Sequence, residues 1–164
     1  MTPAVAARLA GAFGADVLTH SGPGGVIVIG RDGRPSGTDL EAAVRTTLTA
    51  MGFRAVQLGV VTTPTTAVMV NHLNASGGIV ITASHNPIEW NGLKFLTSRG
   101  AAPAKAQAEQ IIDRFRAAAS DPPYTASTAA PQTDESAHEV HVSRVLACVD
   151  VEAIKSRRLR VVLD

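Results

Sequence analysis

Apolar runs alternate with stretches of helical periodicity along the first hundred residues. Residues 26–29 form a continuous β-branched run, which is typical of a strand covered on both faces. Similar runs predict strands over residues 54–59 and 77–81, and helical spacing between the runs predicts crossover helices that begin near Thr38 and Thr62. This alternation predicts an α/β fold built on parallel strands.

Several helix ends carry recognisable signals. A first helix is predicted to begin after Thr2, where a capping hydroxyl precedes a proline, and its apolar residues recur at every fourth position until Gly14. Thr38 and Glu41 have the spacing of a capping box, which predicts the start of the second helix, and Gly52 predicts its end.

The apolar segment 93–96 follows the third predicted strand too closely for a helical crossover, which needs about a dozen residues or more. Asn91 and Gly92 supply strong turn chemistry just before it. We therefore expect this segment to pair antiparallel to the third strand.

Beyond residue 100 the pattern changes. Residues 105–119 predict a helix, and one face of it should be formed by Ala108, Ile111, Ile112 and Phe115. Residues 120–134 contain three prolines among Ser, Thr and Ala, so they predict a linker.

The C-terminal part predicts two connecting helices within residues 135–158, over about 135–148 and 151–157. Residues 159–164 have the pattern of a buried strand with nothing after it to pair with. Because such a strand usually opens a further domain, we interpret it as the first strand of a truncated second domain.

Composition excludes several classes of function. The formal net charge is +1 and aromatic residues make up 4% of the 164 residues, so neither a long-range field nor a stacking platform for nucleic acid is expected. No run of about eighteen apolar residues predicts a membrane span. Cys148 is the single cysteine, and a single cysteine excludes a disulfide framework and favours a cytoplasmic location. Cys148 itself is expected to be a small buried apolar residue.

The candidate chemistry lies between the third strand and its hairpin partner. Ser84 follows the third strand, and Arg31, Arg34 and Lys94 are predicted at the same edge of the sheet, where three cations near a serine suit a phosphorylated ligand or a phosphoserine. The alternatives are structural: Ser84 could hold a turn, and each arginine could pair with Asp32 or a loop carbonyl.

Two other chemistries fit less well. A hydrolase elbow needs Gly-x-Ser-x-Gly leading directly into a helix, whereas Ser84 lies in Thr-Ala-Ser-His-Asn-Pro and a strand follows. No two aspartates have the spacing Asp-x-Asp, so the sequence predicts no complete magnesium site.

Three ordered motifs carry a family resemblance. Residues 82–87, with Asn91-Gly92-x-Lys94 behind them, resemble the phosphoserine loop of the α-D-phosphohexomutase family, and segments 30–37 and 59–65 resemble two further signatures of its first domain. The resemblance implies a three-layer α/β/α sandwich on a mixed four-stranded sheet whose last strand is antiparallel. It also implies that residues 1–134 are the family's first domain.

The same resemblance implies a function. Ser84 would carry the phosphoryl group and, once phosphorylated, provide one Mg²⁺ ligand, and His85 and Lys94 would assist proton transfer and stabilise charge. Phosphate or substrate would be bound by Arg31, Arg34, Asn86 and Asn91. The substrate would be a hexose phosphate of glucose, mannose or glucosamine, interconverted through a bisphosphorylated sugar.

The family's initial arginine-containing segment, its metal loop, its sugar-recognition loop and its C-terminal phosphate-binding domain have no counterpart in this sequence. We therefore expect a fragment cut at both ends, inactive without the missing C-terminal domains as partners. The alternative is a stand-alone sugar-phosphate-binding or regulatory domain without catalysis.

Overall fold

The structure of the protein is a computed structural model that describes residues 1–118 and 131–163. The helices within these ranges are α1 (Pro3–Ser21), α2 (Gly37–Ala50), α3 (Thr63–His72), α4 (Lys105–Ala117), α5 (Ala137–Leu146) and α6 (Val151–Ser156). The strands are β1 (Val26–Arg31), β2 (Arg54–Val60), β3 (Gly77–Ile81), β4 (Leu93–Thr97) and β5 (Gln132–Thr133).

The strands form one mixed sheet in the order β4-β3-β1-β2-β5. Strand β1 lies at the centre and pairs in parallel with both β2 and β3, and β4 runs antiparallel to β3. The predicted α/β class, the first four strands and the antiparallel hairpin partner are therefore confirmed.

The sheet contains a fifth strand, so the predicted count of four is wrong by one. Strand β5 has two residues and pairs in parallel with the outer edge of β2, where Gln132 lies opposite Val56. It falls inside the predicted linker 120–134, whose residues up to 130 lie outside the described part of the chain. A strand of two polar residues has no hydrophobic periodicity, so the sequence contains no signal for it.

Helices cover both faces of the sheet. Ile27 and Ile29 of β1 pack in the core beneath α1, α2 and α4, whereas Val28 packs in the opposite core with α3 and α5. Successive strand residues point to opposite faces, so a continuous apolar run supplies both cores. The predicted three-layer sandwich is confirmed.

Helix α1 does not end at Gly14, as predicted, but continues to Ser21. Gly14 is buried in the middle of the helix, and a Cβ there would approach the Sδ atom of Met51 to 2.9 Å. The glycine therefore allows α1 to lie close to the end of α2, and its role is helix packing instead of helix termination.

Helix α2 begins at Gly37, and Ser36 makes no side-chain capping hydrogen bond. The predicted capping box of Thr38 and Glu41 is wrong, because Glu41 instead accepts a hydrogen bond of 3.1 Å from Arg31. The predicted start of α3 is confirmed, since Thr62 accepts from the backbone N–H of Thr65.

Two residues that the sequence predicted to be buried, Ile112 and Cys148, are exposed. Ile111 and Phe115 of α4 contact the core, but Ile112 is 43% exposed because it lies about 100° around the helix from Ile111. Cys148, expected to be buried, is exposed and donates from its thiol to the carbonyl of Arg144 at 3.3 Å.

Helix α5 packs against α3, and its Ala137 is buried in the same core. Residues 159–163 are exposed and have no regular secondary structure, and Asp164 lies outside the described residues. The assignment of 159–164 to a second domain, and the domain boundaries as a whole, stay predictions. No helix among the described residues is both long and apolar enough to cross a membrane.

Candidate functional site

The parallel strands β1, β2 and β3 end at one edge of the sheet, where open α/β sheets bind ligands. Backbone hydrogen bonds continue just past the strand ends: the N–H of Asp32 donates to Ile81 at 3.0 Å, and the N–H of Val61 donates to Arg31 at 2.9 Å. The loop of residues 82–92, which we call the serine loop, crosses this edge before β4 begins. The fold therefore brings the loops after β1, β2 and β3 together at the carboxyl edge of the sheet.

A cavity of about 370 Å³ lies at this edge. It is lined by the ends of β2 and β3, by the loops after the three parallel strands, by the start of α3 and by one residue of α5. These residues are Asp32, Gly33, Val60, Val61, Thr62, Thr63, Val80, Thr82 and His138. Gly30, at the end of β1, lies tightly against Thr66, and a Cβ there would collide with that side chain. Glycine at position 30 is therefore required by the close packing of α3 on the sheet.

Ser84 lies at the start of the serine loop in a left-handed conformation, with φ of +57°. Its N–H donates to the Thr82 hydroxyl at 2.9 Å, and its carbonyl accepts from Nη2 of Arg34 at 2.9 Å. The side chain is exposed, and its Oγ atom has no hydrogen-bond partner among the described residues. The backbone of Ser84 is thus held on both sides while its hydroxyl is presented to solvent.

All five guanidinium N–H groups of Arg34 are used, four of them to hold the serine loop. Nε donates to Asp32, and the two terminal nitrogens donate at 2.6–3.1 Å to four loop carbonyls, those of Ser84, Asn86, Pro87 and Trp90. The side chain is only 10% exposed. It has no donor left for a ligand, which favours the structural alternative for this arginine.

Asp32 connects the two supports of Ser84. Its Oδ2 atom accepts from the Thr82 hydroxyl at 2.7 Å and from Nε of Arg34 at 3.0 Å, and its Oδ1 atom accepts from the Arg34 backbone N–H at 3.1 Å. Burial alone would raise the pKa of the Asp32 carboxyl, but these hydrogen bonds and the Arg34 charge lower that pKa below its ordinary value. The carboxylate is therefore the stable form of the group.

His85 and Lys94 are both exposed, and neither has a hydrogen-bond or ion-pair partner in the part of the chain that the structure describes. Lys94 lies opposite Val80 in the antiparallel ladder, so both side chains project from the same face of the sheet. Val80 lines the cavity, and Lys94 is therefore on the cavity's side of the sheet. Both groups are available to a ligand.

The remaining predicted site residues differ in whether their side chains are free to bind a ligand. Arg31 reaches the carboxyl edge but forms a 3.1 Å ion pair with Glu41 of α2. Asn91 donates from its side chain to the Ser36 hydroxyl at 3.0 Å and accepts from the N–H of Gly92, so it fixes the loop end. The side chain of Asn86 is exposed, and its backbone carbonyl contacts Arg34.

Thr82 is not among the residues predicted for the site, and Asp32 is predicted only as a possible stabiliser of its loop. One signal was present for the aspartate: it lies two residues before Arg34, the spacing at which an aspartate accepts from a following backbone N–H in an Asx turn. Thr82 carries no such local signal, because its contact with Asp32 joins segments fifty residues apart.

The described residues do not form a metal site by themselves. No group of three or more His, Cys, Asp or Glu side chains among them could hold a metal ion. Asp32, the carboxylate at the carboxyl edge, is engaged by Arg34 and Thr82. A phosphate on Ser84 could supply one oxygen ligand, and further ligands would have to come from outside the described residues.

Known proteins are similar to this chain in sequence and in fold. Residues 1–121 match the family described as phosphoglucomutase/phosphomannomutase, alpha/beta/alpha domain I. The phosphoglucosamine mutase of Macrococcus caseolyticus is 42% identical over 112 residues, which cover 68% of this chain and 25% of that protein. A phosphoglucomutase/phosphomannomutase of Thermococcus kodakarensis is 34% identical over all 164 residues, or 36% of its own length.

The crystal structure of a candidate phosphomannomutase from Thermus thermophilus superposes with a TM-score of 0.79 at 33% identity, covering 93% of this chain and 33% of the other. The chain therefore belongs to the phosphoglucomutase/phosphomannomutase family and contains its α/β/α domain I. The phosphohexomutase resemblance is confirmed. The chain spans 25–36% of the length of these three relatives.

Proposed function

We propose that this chain is the phosphoserine-bearing domain of a phosphohexomutase, an enzyme that interconverts the 1- and 6-phosphates of a hexose. The observation that carries the proposal is the presentation of Ser84: its backbone is held on both sides, and its hydroxyl is exposed at the carboxyl edge of the sheet. A residue that only held a turn would use its hydroxyl within the loop.

In the proposed reaction Ser84 carries a phosphoryl group. The bond between phosphorus and Ser84 Oγ breaks as phosphorus bonds to a free hydroxyl oxygen of the sugar phosphate; that hydroxyl loses its proton and Oγ gains one. The sugar is then bisphosphorylated. Transfer of its other phosphoryl group back to Ser84 restores the enzyme, so the net reaction is an isomerisation that consumes no water.

His85 and Lys94 are proposed to assist this transfer. The His85 imidazole is a group that can exchange a proton with the sugar hydroxyl or with Ser84 Oγ. The Lys94 ammonium, which has no partner within the described ranges, can neutralise the equatorial phosphoryl oxygens as charge develops. Both roles require groups that the fold leaves unpaired.

Phosphate or substrate binding is proposed for Asn86 and, at the accessible part of its guanidinium, for Arg31, whose side chain is 21% exposed. The contacts of Asn91 and Arg34 favour support of the serine loop for these two residues. Mg²⁺ is expected from the family, with phosphorylated Ser84 as one ligand, and we assign no step to the ion because the described residues do not complete its site.

The substrate class is a hexose phosphate, with glucose, mannose or glucosamine as the sugar. The names of the relatives include all three, so the comparisons support the class and leave the sugar open. Further domains of the longer relatives are the proposed partners for sugar recognition. A single cysteine fits a reducing cytoplasm.

A chimera tests the function directly. Residues 1–164 replace the aligned 36% of the Thermococcus kodakarensis protein, and conversion of glucose, mannose and glucosamine 1-phosphates to the 6-phosphates is measured. We expect turnover of at least one sugar phosphate. Intact mass and peptide mapping should show one phosphoryl group on Ser84.

Ser84→Ala in the same chimera is the matched variant, and we expect it to abolish both turnover and the phosphopeptide. Ser98→Ala, in the exposed turn after β4, is the control and should keep both. Undiminished turnover in the Ser84→Ala chimera would contradict the proposal. Binding of sugar phosphate without any phosphorylation of Ser84 would support the non-catalytic alternative.

A further inference from the structure

We infer that Arg34 and Asp32 are positioning residues that build the serine loop before any phosphate arrives, and that Arg34 is not a phosphate ligand. The catalytic consequence rests on the proposed function of Ser84, whereas the conformational part concerns the unphosphorylated chain alone. The inference changes the role that the family resemblance suggested for this arginine.

The guanidinium of Arg34 is saturated with hydrogen bonds. An arginine has five N–H donors in a rigid planar fork, and here one donates to Asp32 and four donate to carbonyls of the serine loop. A phosphate could gain one of these donors only if a loop carbonyl lost it. Since a hydrogen bond from a charged donor is among the stronger ones in a protein, its loss offsets what the new contact gains.

Ser84 has a left-handed backbone conformation with φ of +57°. A left-handed φ is sterically unfavourable for a residue with a Cβ, so the loop must be held by its surroundings. Arg34 holds the carbonyl of Ser84, and Thr82 holds its N–H. Both supports converge on one oxygen of Asp32, which couples them.

Asp32 and Arg34 form an ion pair beside the serine loop. The Asp32 carboxylate and the Arg34 guanidinium lie 3.0 Å apart and neutralise each other, so the pair contributes little net positive charge at Ser84. A dianionic phosphate there would have to be balanced by cations that lack such a partner. Within residues 1–118 and 131–163, Lys94 is the cation of the predicted site that meets this condition.

The test uses the unphosphorylated 164-residue chain and NMR. Chemical shifts and the HN–Hα coupling of Ser84 report its φ. Amide exchange reports the hydrogen bond from its N–H to the Thr82 hydroxyl. We expect Arg34→Met to shift Ser84 toward negative φ and to speed its amide exchange on the order of tenfold, as for the loss of a charge-assisted hydrogen bond. Arg34→Lys should behave similarly, because an ammonium cannot replace the planar fork.

Arg54→Met is the control, since Arg54 is exposed at the opposite end of β2 and should leave Ser84 unchanged. If Arg34→Met does not fold, the chemical shifts, HN–Hα coupling and amide exchange of Ser84 in Arg34→Lys and Asp32→Asn test the positioning role instead. Unchanged Ser84 signals in the folded variants, with an effect only after phosphorylation, would show a phosphate ligand and overturn the inference.

In the chimera, Arg34→Lys should lower kcat at least about tenfold with little change in KM, because the nucleophile and not the substrate contacts is displaced. Full activity of Arg34→Lys combined with an inactive Ser84→Ala chimera would reject the positioning role. If the Ser84→Ala chimera were as active as the parent chimera, the proposed function would be rejected, and the NMR result on the unphosphorylated chain would still hold.

Discussion

Nη2 of Arg34 donates a hydrogen bond of 2.9 Å to the carbonyl oxygen of Ser84, which lies fifty residues further along the chain. The contact joins the loop after β1 to the loop after β3, two neighbouring strands of the sheet. It ties the conformation of the candidate nucleophile to a side chain that is itself anchored by Asp32. The candidate nucleophile is thus held in place through its backbone and not through its own hydroxyl.

The left-handed conformation of Ser84 predicts an unusual response to glycine. We expect Ser84→Gly to raise the free energy of unfolding by a few tenths to about 1 kcal/mol, because glycine adopts φ of +57° without the steric cost that serine bears. Urea unfolding of the 164-residue chain measures the change. The same variant should lose phosphorylation at position 84.

Ser98→Gly is the matched control for that measurement. Ser98 is exposed in the turn after β4 and is not among the described non-glycine residues with positive φ. There glycine only adds entropy to the unfolded chain, so a loss of about 0.5–1 kcal/mol is expected. Destabilisation of similar size at both positions would argue against strain at Ser84.

The lowered pKa of Asp32 predicts a specific dependence on acid. A carboxyl whose pKa is depressed in the folded state stabilises the fold above its unfolded pKa of about 3.9, and this stabilisation is lost as the pH falls through the folded value. We expect NMR titration to place the midpoint of Asp32 below about 3.9. Arg34→Met should raise that midpoint, since it removes a hydrogen bond and a positive charge.

Asp32→Asn separates this effect from general acid unfolding. The variant should be less stable than the parent near neutral pH, and the difference should shrink as the pH falls below about 3.9, where the parent also loses its charge. A difference that stays constant down to acid pH would mean that the ionised carboxylate does not stabilise the serine loop.

Lys94 should affect chemistry without affecting stability. Its side chain is exposed and has no partner in the described segments, so Lys94→Met should change the free energy of unfolding by less than about 0.5 kcal/mol. In the chimera, turnover should fall on the order of a hundredfold, the usual effect of removing one group that stabilises transition-state charge. Lys105→Met, at the exposed start of α4, is the control and should keep full turnover.

Much of this fold could be predicted because each of the first seven elements carries its own local signal. The continuous run in β1 predicts a strand buried on both faces, and Thr62 predicts the start of α3; the structure has both. Strand β5 could not be predicted, since two polar residues on the edge of β2 have no periodicity. Gly14 misled because a glycine that allows helix packing and one that ends a helix look the same in sequence.

The site shows the same division between local and distant information. The position of Ser84 at the carboxyl edge could be predicted because it follows a buried strand, and its role stays a prediction. The partners of Arg34 could not, because they are backbone carbonyls 50–56 residues away, and a carbonyl belongs to every residue type. Charge and motif indicated a phosphate ligand, and only the three-dimensional contacts show a guanidinium that is already fully used.

Thr65 offers a last test, because it belongs to a family-like motif and yet makes only structural contacts. Its hydroxyl is buried and lies 2.8 Å from the Thr62 hydroxyl and 2.9 Å from Nδ1 of His141 on α5. Thr65→Val should lower the free energy of unfolding by about 1–3 kcal/mol, because it leaves buried polar groups unpaired where α5 packs on α3.

Thr38→Val, on the exposed surface of α2, is the control and should change stability by less than about 0.5 kcal/mol. The side-chain hydrogen bonds of Thr65 go to Thr62 and His141 and not to Arg34 or the serine loop. Phosphorylation of Ser84 in the chimera should therefore persist in Thr65→Val, and its loss in a folded variant would assign this threonine a part in the reaction.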